Sequence, residues 1–412
     1  MAVADLINHL DRSVSPAHST AHSAGRLTTA GFPEVPFDSW GSRLPERGFV
    51  RSAGLLMAWS GTGGRFRIVG AHTDSPTLRL KPHPDSAAHG WKQIAVEVYG
   101  GILNNSWLDR DLAIAGRLVL SDGSSVLVDT DEPVARIPQL AVHLDRDVNE
   151  RGLVLDRQIH LAPVWGLGTA TPGEILGVLA ERAGVSTSSV IAHDLVMYDT
   201  TPARTLANES LLASGRLDNQ VSCWAATSAL LEVASSGAHD DTFVISLFDH
   251  EEVGSESTHG AAGPHLERLL TALHSGNDAT FRDRCARSLC VSADNAHSIH
   301  PNYPERHEPG HRPIANGGPV IKSNANQRYA TTAETAAAFA RACDLAGVPH
   351  QWFVSRNSMP CGSTIGPITS TRLGIPTVDV GVAQLSMHSA RELCGAHDPD
   401  LLVRALVAVA RS

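Results

Sequence analysis

A change in the spacing of apolar residues partway along the chain limits the folds that it can adopt. Helical and strand segments alternate from about residue 215 onward, whereas short strands and turns fill about residues 91 to 165. In that middle block Ile94, Val96 and Val98 alternate with other residues, which is the period of a strand. Before the block, residues 3–31 favour one helix, and strand-like runs follow it. This order predicts an α/β sheet domain that is interrupted by an insertion.

The composition is that of an ordinary globular chain, and it excludes several classes of protein. Of the 412 residues, 42% are hydrophobic and 18% are charged. No apolar run approaches the length that crosses a bilayer, and the first residues lack the basic and apolar regions of a secretory signal. A membrane is therefore not an expected partner. The formal net charge of -10 comes without a basic stripe, so a nucleic acid is not an expected partner either.

The cysteines predict the compartment. Six are scattered along the chain, with no pair in a C-x-x-C spacing. A chain of this length needs no disulfide staples, and the spacing is not that of a thiolate zinc site. A cytoplasmic protein in a reducing environment is therefore expected.

Two adjacent carboxylates, Glu251 and Glu252, follow the apolar run of residues 243–248. The run predicts a buried strand. Neighbouring side chains on an extended backbone point to opposite sides, so one carboxylate can bind a metal while the other faces water or a substrate. Taken alone, a solvated loop explains the pair equally well.

Imidazoles and carboxylates at four other places could complete a two-metal hydrolase site with this pair. Most of these places follow strand-like runs, and the ligand sites of open α/β sheets collect at the carboxyl ends of strands. Two metals share a water and lower its pKa, and ligands of this type without thiolate suit zinc, cobalt or manganese. With Glu251 left over as the general base, the candidate ligands are His72, Asp218, Glu252, Asp294 and His388.

Each of these residues also has a purely structural explanation. His72 and Asp74 could form a turn or cap after a strand, and Asp218 could cap the helix that follows it. Asp294 could cap a turn, and His388 could be a buried histidine with satisfied hydrogen bonds. Their joint occurrence in this order favours the metal site.

Eight ordered motifs resemble those of the aspartyl aminopeptidase family of metallo-aminopeptidases, and they extend over nearly the whole chain. A match of this many motifs in one order is specific. The motifs are residues 70–76 (GAHTDSP), 136–144 (RIPQLAVHL), 215–219 (GRLDN), 249–255 (DHEEVGS), 294–297 (DNAH), 318–322 (GPVIK), 359–367 (MPCGSTIGP) and 387–392 (MHSARE).

The resemblance implies a fold and an assembly. The fold would be a phosphorylase/hydrolase-like, three-layer αβα metallopeptidase domain of residues 1–84 and 207–412. Residues 85–206 would form an inserted, β-rich dimerisation domain. In the family such dimers build a tetrahedral dodecamer, so a homo-oligomer is expected.

The resemblance also implies the reaction, which is removal of an N-terminal Asp or Glu from peptides by a dinuclear site. Asp218 would bridge two divalent ions, zinc in the first place, with cobalt or manganese as alternatives. His72 and Asp294 would complete the ligands of one ion. Glu252 and His388 would complete those of the other.

Further roles follow from the same resemblance. Glu251 would be the general base, and Asp74 would orient His72. His143, inside the insertion, would reach the site of a neighbouring subunit and stabilise the tetrahedral intermediate. On the sequence alone, an ordinary strand histidine is the simpler explanation of His143.

Lys322 is one of only three lysines, and it follows the apolar residues Val320 and Ile321. A local cation would attract an acidic substrate side chain in a net-acidic protein. The resemblance places Lys322 and His297 near that side chain, with Tyr329 following in the same region. A broader aminopeptidase or deacylase, and an assembly protein without activity, are the alternatives to an acid-specific aminopeptidase.

Overall fold

The computed structural model describes residues 2–38, 40, 44–237 and 240–412. Within these ranges the strands form three sheets of eight, five and six strands. None of the described helices combines the length and the apolar composition needed to cross a membrane. The helices are α1 Ala2–Arg12, α2 Pro16–Thr29, α3 Val148–Arg151, α4 Glu174–Arg182, α5 Leu217–Ser235, α6 His265–Ala272, α7 Asp278–Ala286, α8 Ala333–Leu345, α9 Ile365–Leu373 and α10 Asp398–Arg411.

The strands alternate with these helices except in the middle of the chain, where strands predominate. In chain order they are β1 Arg47–Ser52, β2 Leu55–Ser60, β3 Phe66–His72, β4 Thr77–Ala88, β5 Trp91–Tyr99, β6 Leu112–Leu120, β7 Ser125–Asp129, β8 Val164–Leu167, β9 Val190–Asp199, β10 Arg204–Leu206, β11 Leu211–Ser214, β12 Thr242–Phe248, β13 Leu289–Ala293, β14 Ala296–His297, β15 Val320–Ser323, β16 Gln351–Val354, β17 Thr377–Gly381, β18 Ala383–Leu385 and β19 Glu392–Gly395.

The single helix expected over residues 3–31 is wrong, because the chain forms α1 and α2 there. Ser15 separates them in an extended conformation, and its hydroxyl accepts a hydrogen bond from the backbone N–H of His18. Pro16 then occupies the first turn of α2, where its missing N–H is not needed. A serine cap followed by proline therefore starts a new helix.

The eight-stranded sheet has the order β1-β2-β12-β3-β13-β17-β15-β16, and its centre is parallel. Strand β3 pairs in parallel with β12 and β13, and β13 pairs in parallel with β17. Every residue of β3 and β12 is buried. Such continuous apolar strands belong to a sheet that is covered on both faces.

Alternation along β3 divides its side chains between two hydrophobic cores. Val69 and Ala71 enter a core that includes Leu residues of α5 and α10, whereas Phe66 and Ile68 enter one that includes Leu residues of α6. Successive side chains of a strand point to opposite faces, so helices cover both faces of the sheet. The predicted three-layer α/β fold is confirmed.

The parallel strands deliver polar residues to one edge of this sheet. His72 ends β3, Glu251 and Glu252 come shortly after β12, and Asp294 directly follows β13. Because the carboxyl ends of parallel strands meet at the same edge, these side chains come together there.

The six-stranded sheet β7-β6-β9-β4-β5-β8 is built by residues between 77 and 199, and its pairs are antiparallel. It has a hydrophobic core of its own, with Leu80, Ile94 and Leu118 among its members. The expected boundary between residues 84 and 85 falls inside β4, and β10 joins the five-stranded sheet β10-β11-β19-β18-β14. The division of the chain into domains stays a prediction.

Candidate metal centre

Asp218, at the start of α5, lies between two histidines from opposite ends of the chain. Its Oδ1 atom is 3.4 Å from Nε2 of His72, and its Oδ2 atom is 3.5 Å from Nε2 of His388. The dihedral angles of Asp218 and Asn219 are not helical, although α5 formally begins at Leu217. The carboxylate is thus presented to both imidazoles at once instead of capping the helix.

Hydrogen bonds determine which nitrogen of each histidine faces Asp218. Nδ1 of His72 lies 3.0 Å from the carbonyl oxygen of Asp74, and Nδ1 of His388 lies 3.1 Å from that of Gly101. A carbonyl only accepts, so Nδ1 donates in each ring and Nε2 keeps its lone pair when the ring is neutral. An outer hydrogen bond on one nitrogen and a free lone pair on the other are typical of metal-ligating histidines.

Among the described residues, three groups of side chains bring ligand atoms within 4.8 Å of one another. Two of them share Asp218 and have the same members as the two ligand sets expected from the sequence. The third group places Glu251 beside His72 and Glu252. The groups are His72 with Asp218 and Asp294, Asp218 with Glu252 and His388, and His72 with Glu251 and Glu252.

The chemistry of the cluster fits divalent metal ions. Oδ1 of Asp218 and Oε1 of Glu252 are buried, and neither has a hydrogen-bond partner in the described part of the chain. A buried carboxylate oxygen without a partner is costly unless a cation neutralises it. Carboxylate and imidazole ligands without thiolate suit zinc, cobalt or manganese.

Asp74 is fully buried and holds the cluster together from behind His72. Its Oδ1 accepts a hydrogen bond from the backbone N–H of Glu251, and its Oδ2 accepts one from that of Glu252. Oδ2 also accepts a hydrogen bond of 2.7 Å from the hydroxyl of Tyr99 in β5. Asp74 therefore fixes the turn that carries both glutamates, and it does so together with a residue from the six-stranded sheet.

Glu392 has the corresponding place behind Asp218 and His388, and it was not singled out from the sequence. One carboxylate oxygen accepts a hydrogen bond from the backbone N–H of Asp218 at 3.0 Å, and the other accepts one from that of His388 at 2.7 Å. Glu392 closes the motif of residues 387–392, so its position in that motif was the only available signal. Its partner Asp218 is 174 residues away in the chain.

Three glutamates in and behind the cluster, Glu251, Glu252 and Glu392, have raised pKa values. Burial raises the pKa of Glu251 to about 8, and it also raises the pKa of Glu392 to about 8. Burial, followed by the charge of Asp218, raises the pKa of Glu252 well above its ordinary range. These shifts reflect several carboxyl groups that share a small buried volume.

The pKa values of the two histidines in the cluster, His72 and His388, are also raised. Burial acts to lower the pKa of His72, but the nearby carboxylates of Asp218, Asp294 and Asp74 outweigh burial and raise it. The pKa of His388 is raised in the same way, because the neighbouring Asp218 carboxylate outweighs the opposing effect of burial. Burial acts to raise the pKa of Asp218, but the two histidines outweigh burial and lower it.

A cavity of about 430 Å³ adjoins the cluster and contains the three residues expected to bind substrate. Lys322 is 2% exposed; its Nζ lies 3.6 Å from Oδ2 of Asp294 and 5.0 Å from the ring centroid of Tyr329. His297 lines the same cavity and is an exposed residue. Enclosure by the cavity walls, followed by the Lys322 ammonium, lowers the pKa of His297. Glu251 lines the cavity as well.

His143 does not belong to this cluster within one subunit. It is exposed, in the turn that is closed by a hydrogen bond from the N–H of Leu144 to the carbonyl of Ala141. The cavity beside the metal cluster is lined without it. The other expected site residues converge at the edge of the central sheet.

The fold and the cluster together define a metallohydrolase of the α/β class, and comparison with known proteins gives its family. The family model described as "Aminopeptidase I zinc metalloprotease (M18)" matches residues 9–408. The chain is 51% identical to "Probable M18 family aminopeptidase 2" of Streptomyces coelicolor, over 98% of this chain and 96% of that protein. The chain belongs to the M18 family of aminopeptidases.

Solved structures give the same result. A structure described as the Ape4 and Nbr1 complex matches with a TM-score of 0.95 and 34% identity, over 99% of this chain and 85% of that one. The S. cerevisiae mApe1 dodecamer matches with a TM-score of 0.86 and 29% identity, over 99% and 95% of the two chains. The predicted family and fold are thereby confirmed.

Metal removal should destabilise the protein more at pH 8 than at pH 5. Carboxyl groups with raised pKa values, such as Glu251 and Glu252, stabilise the metal-free fold only while they stay protonated, so stability falls as the pH rises from about 4.5 towards 8. The raised pKa values of His72 and His388 act in the same direction, since their contribution is present below pH 6.5 and is lost above it. The lowered pKa of Asp218 matters only below pH 3.8. Zinc binds the deprotonated ligands and reverses this trend.

The measurement is the difference in Tm between zinc-loaded and chelator-treated protein, followed from pH 5 to pH 8 by differential scanning fluorimetry. We expect the difference to widen steadily with pH. A difference that stays constant over this range would contradict a metal site at this carboxylate cluster.

Proposed function

We propose that the protein is an aspartyl aminopeptidase, which removes an N-terminal Asp or Glu from peptides by means of two divalent ions. The observation that carries the specificity is the buried ammonium of Lys322 in a cavity that opens onto the metal cluster. An ammonium removed from water is costly unless anions surround it. Its position therefore favours a substrate side chain that ends in a carboxylate.

Lys322 is held by its neighbours in a position where it can meet such a carboxylate. Its Nζ donates a hydrogen bond of 3.3 Å to the carbonyl oxygen of Asn295, and β15 pairs Lys322 with Asp379 of β17. His297 and Tyr329 line the same cavity and can contact the same substrate group. A charge-assisted contact of this kind contributes about 1.5–3 kcal/mol, which is roughly a 10- to 100-fold preference.

The residues that would hold the ions are the two groups around Asp218. His72 and Asp294 would bind one zinc ion, Glu252 and His388 would bind the second, and Asp218 would bridge them. When bound, zinc lowers the pKa of a coordinated water and polarises the scissile carbonyl.

Glu251 is the residue that moves the proton in this proposal. Its carboxylate lies 4.0 Å from Nε2 of His72, and its side chain is 14% exposed and faces the cavity. Its backbone N–H donates a hydrogen bond to Asp74, which holds the backbone of Glu251 in place beside the cluster. Glu251 takes a proton from the attacking water and returns it to the leaving amine.

We further propose that His143 acts in the site of a neighbouring subunit, where it donates a hydrogen bond to the developing oxyanion. The segment around His143 supports this proposal, because it exposes large apolar side chains that a partner subunit could cover. Those side chains are Leu140, Val142, Leu144, Val154 and Ile159.

The proposed assembly follows that of a relative. The S. cerevisiae mApe1 structure is a dodecamer, and we propose a tetrahedral dodecamer of dimers for this protein. Residues 85–206 would be the dimerisation domain, and residues 1–84 with 207–412 the peptidase domain. The proposed location is the cytoplasm.

The specificity is tested by Lys322→Met, which removes the charge and preserves most of the side-chain volume. We expect kcat/KM for Glu- and Asp-anilides to fall about 10- to 100-fold, because the charge-assisted contact is lost. Values for Leu- and Ala-anilides should change little. The matched control is Lys81→Met, which removes an ammonium from β4 in the six-stranded sheet.

An aminopeptidase without a preference for acidic residues is the second candidate. One observation favours it: Oδ2 of Asp294 lies 3.6 Å from the Lys322 ammonium, which therefore already has an anionic neighbour. If wild-type protein hydrolysed Leu- and Glu-anilides equally well, the second candidate would replace the first.

A further inference from the structure

The segment Tyr99-Gly100-Gly101, at the end of β5, contacts the ligand groups on both sides of Asp218. Tyr99 is the last residue of β5 in the six-stranded sheet, and Gly100 and Gly101 follow it directly, whereas no candidate ligand lies in that sheet. It reaches one group through the side chain of Tyr99 and the other through the backbone of Gly101. The outer support of the metal cluster is therefore shared between two sheets.

On the first side, the contact runs through Asp74. The hydroxyl of Tyr99 donates to Oδ2 of Asp74 at 2.7 Å, and Asp74 also accepts the backbone N–H groups of Glu251 and Glu252. Oδ1 of Asp74 lies 3.4 Å from Nδ1 of His72. Without the hydroxyl of Tyr99, Oδ2 of Asp74 would keep the hydrogen bond from the backbone N–H of Glu252 and lose the other. The carboxylate that orients His72 and the two glutamates is then less well fixed.

On the second side, the contact runs through the backbone. The carbonyl of Gly101 accepts from Nδ1 of His388, and the N–H of Leu103 donates to the carbonyl of His388 at 3.0 Å. The space here is narrow. A Cβ atom on Gly101 would lie 3.3 Å from Nδ1 of His388, and one on Gly100 would lie 3.2 Å from Cβ of Glu252.

We propose that Tyr99 is a positioning residue of the metal site, which sets the orientation of Asp74 and through it that of His72 and the Glu251–Glu252 turn. This inference rests on the proposed function, because it takes the cluster as the zinc site of the enzyme. Hydrogen-bond partners outside the ligands orient the ligands, and their loss typically costs about 10- to 100-fold in metal affinity or activity. The hydroxyl of Tyr99 bonds to Asp74, which is not a candidate ligand, and Tyr99 is not among the residues that line the substrate cavity.

The test is Tyr99→Phe in the full-length protein, with Tyr198→Phe as the matched control. The hydroxyl of Tyr198 also donates a 2.7 Å hydrogen bond to a carboxylate, that of Asp129, in the same sheet. Zinc affinity of the metal-stripped proteins is measured by competition with a chromophoric chelator. We expect Tyr99→Phe to weaken zinc binding about 10- to 100-fold, and Tyr198→Phe to leave it unchanged.

Kinetics at limiting zinc provide the second readout. We expect Tyr99→Phe to lower kcat with little change in KM, and excess zinc to restore kcat. A general loosening of the fold would lower the Tm of the metal-free protein without changing its zinc affinity, and this result would overturn the proposal. Zinc affinity and kcat equal to those of Tyr198→Phe would overturn it as well.

Gly101→Ala tests the same segment from the second side. The added methyl group presses on His388, so we expect weaker zinc binding than in wild type, again about 10-fold or more. Unchanged zinc affinity in Gly101→Ala would show that the contact between Gly101 and His388 does not support the metal site. If wild-type protein binds zinc but does not hydrolyse Asp- or Glu-anilides, only the proposed function fails, because the zinc comparison still decides the role of Tyr99.

Discussion

Replacing Glu251 by glutamine is expected to lower kcat by about 10²- to 10⁴-fold while zinc stays bound. The amide has nearly the shape of the carboxylate, but it cannot take a proton from water at neutral pH. The candidate ligands on either side of Asp218 do not include Glu251, so zinc content should remain that of wild type. The measurement is kcat for a Glu-anilide together with zinc content by elemental analysis.

The matched control is Glu256→Gln, which changes an exposed glutamate shortly after the short 3₁₀ helix Glu251–Val253. It should hydrolyse the substrate at the wild-type rate. Near wild-type activity in Glu251→Gln would show that another group moves the proton. Loss of zinc from Glu251→Gln would instead make Glu251 a ligand, in keeping with its position near His72 and Glu252.

His143→Ala is expected to lower kcat by about 10²- to 10³-fold, the usual effect of losing one hydrogen-bond donor to an oxyanion. A residue that lies exposed and outside the metal cluster of its own subunit would have no such effect if it acted only within that subunit. Zinc affinity and the oligomer size in solution should not change. His160→Ala, in the same exposed segment, serves as the control, since the His160 ring accepts a local hydrogen bond from the N–H of Asp156.

Mixing the two inactive variants distinguishes action in the neighbouring subunit from action within one subunit. In a mixed oligomer, a His143→Ala subunit still has Glu251 and can receive His143 from a Glu251→Gln neighbour. Co-expressed variants should therefore be more active than either variant alone. If activity is not restored in mixed oligomers of normal size, His143 does not act between subunits.

The convergence of three candidate ligands, His72, Glu252 and Asp294, could be predicted because they lie at or shortly after the ends of buried strands. The apolar run before Glu251 and Glu252 predicted β12, and the run before His72 predicted β3. Parallel pairing of these strands then placed their polar ends at one edge. Local sequence carried this information, since a buried strand requires a continuous run of apolar side chains.

The outer partners could not be predicted in the same way. The contact between Tyr99 and Asp74 depends on where β5 ends relative to the central sheet, and Glu392 meets Asp218 across 174 residues of chain. No local sequence pattern encodes contacts between residues that are so far apart along the chain. The break between α1 and α2, in contrast, was visible in the sequence as Ser15 followed by Pro16, but the apolar periodicity on both sides concealed it.

The wide separation of the cluster residues along the chain has a consequence for the biosynthesis of a peptidase. His72 and His388 are contributed more than 300 residues apart, and both must meet the same Asp218 carboxylate. A nascent chain cannot assemble the full cluster before residue 388 has emerged from the ribosome, whatever the zinc concentration around it. Hydrolytic capacity would therefore arise only after the central sheet is complete, and unfinished chains would not cleave the peptides near them.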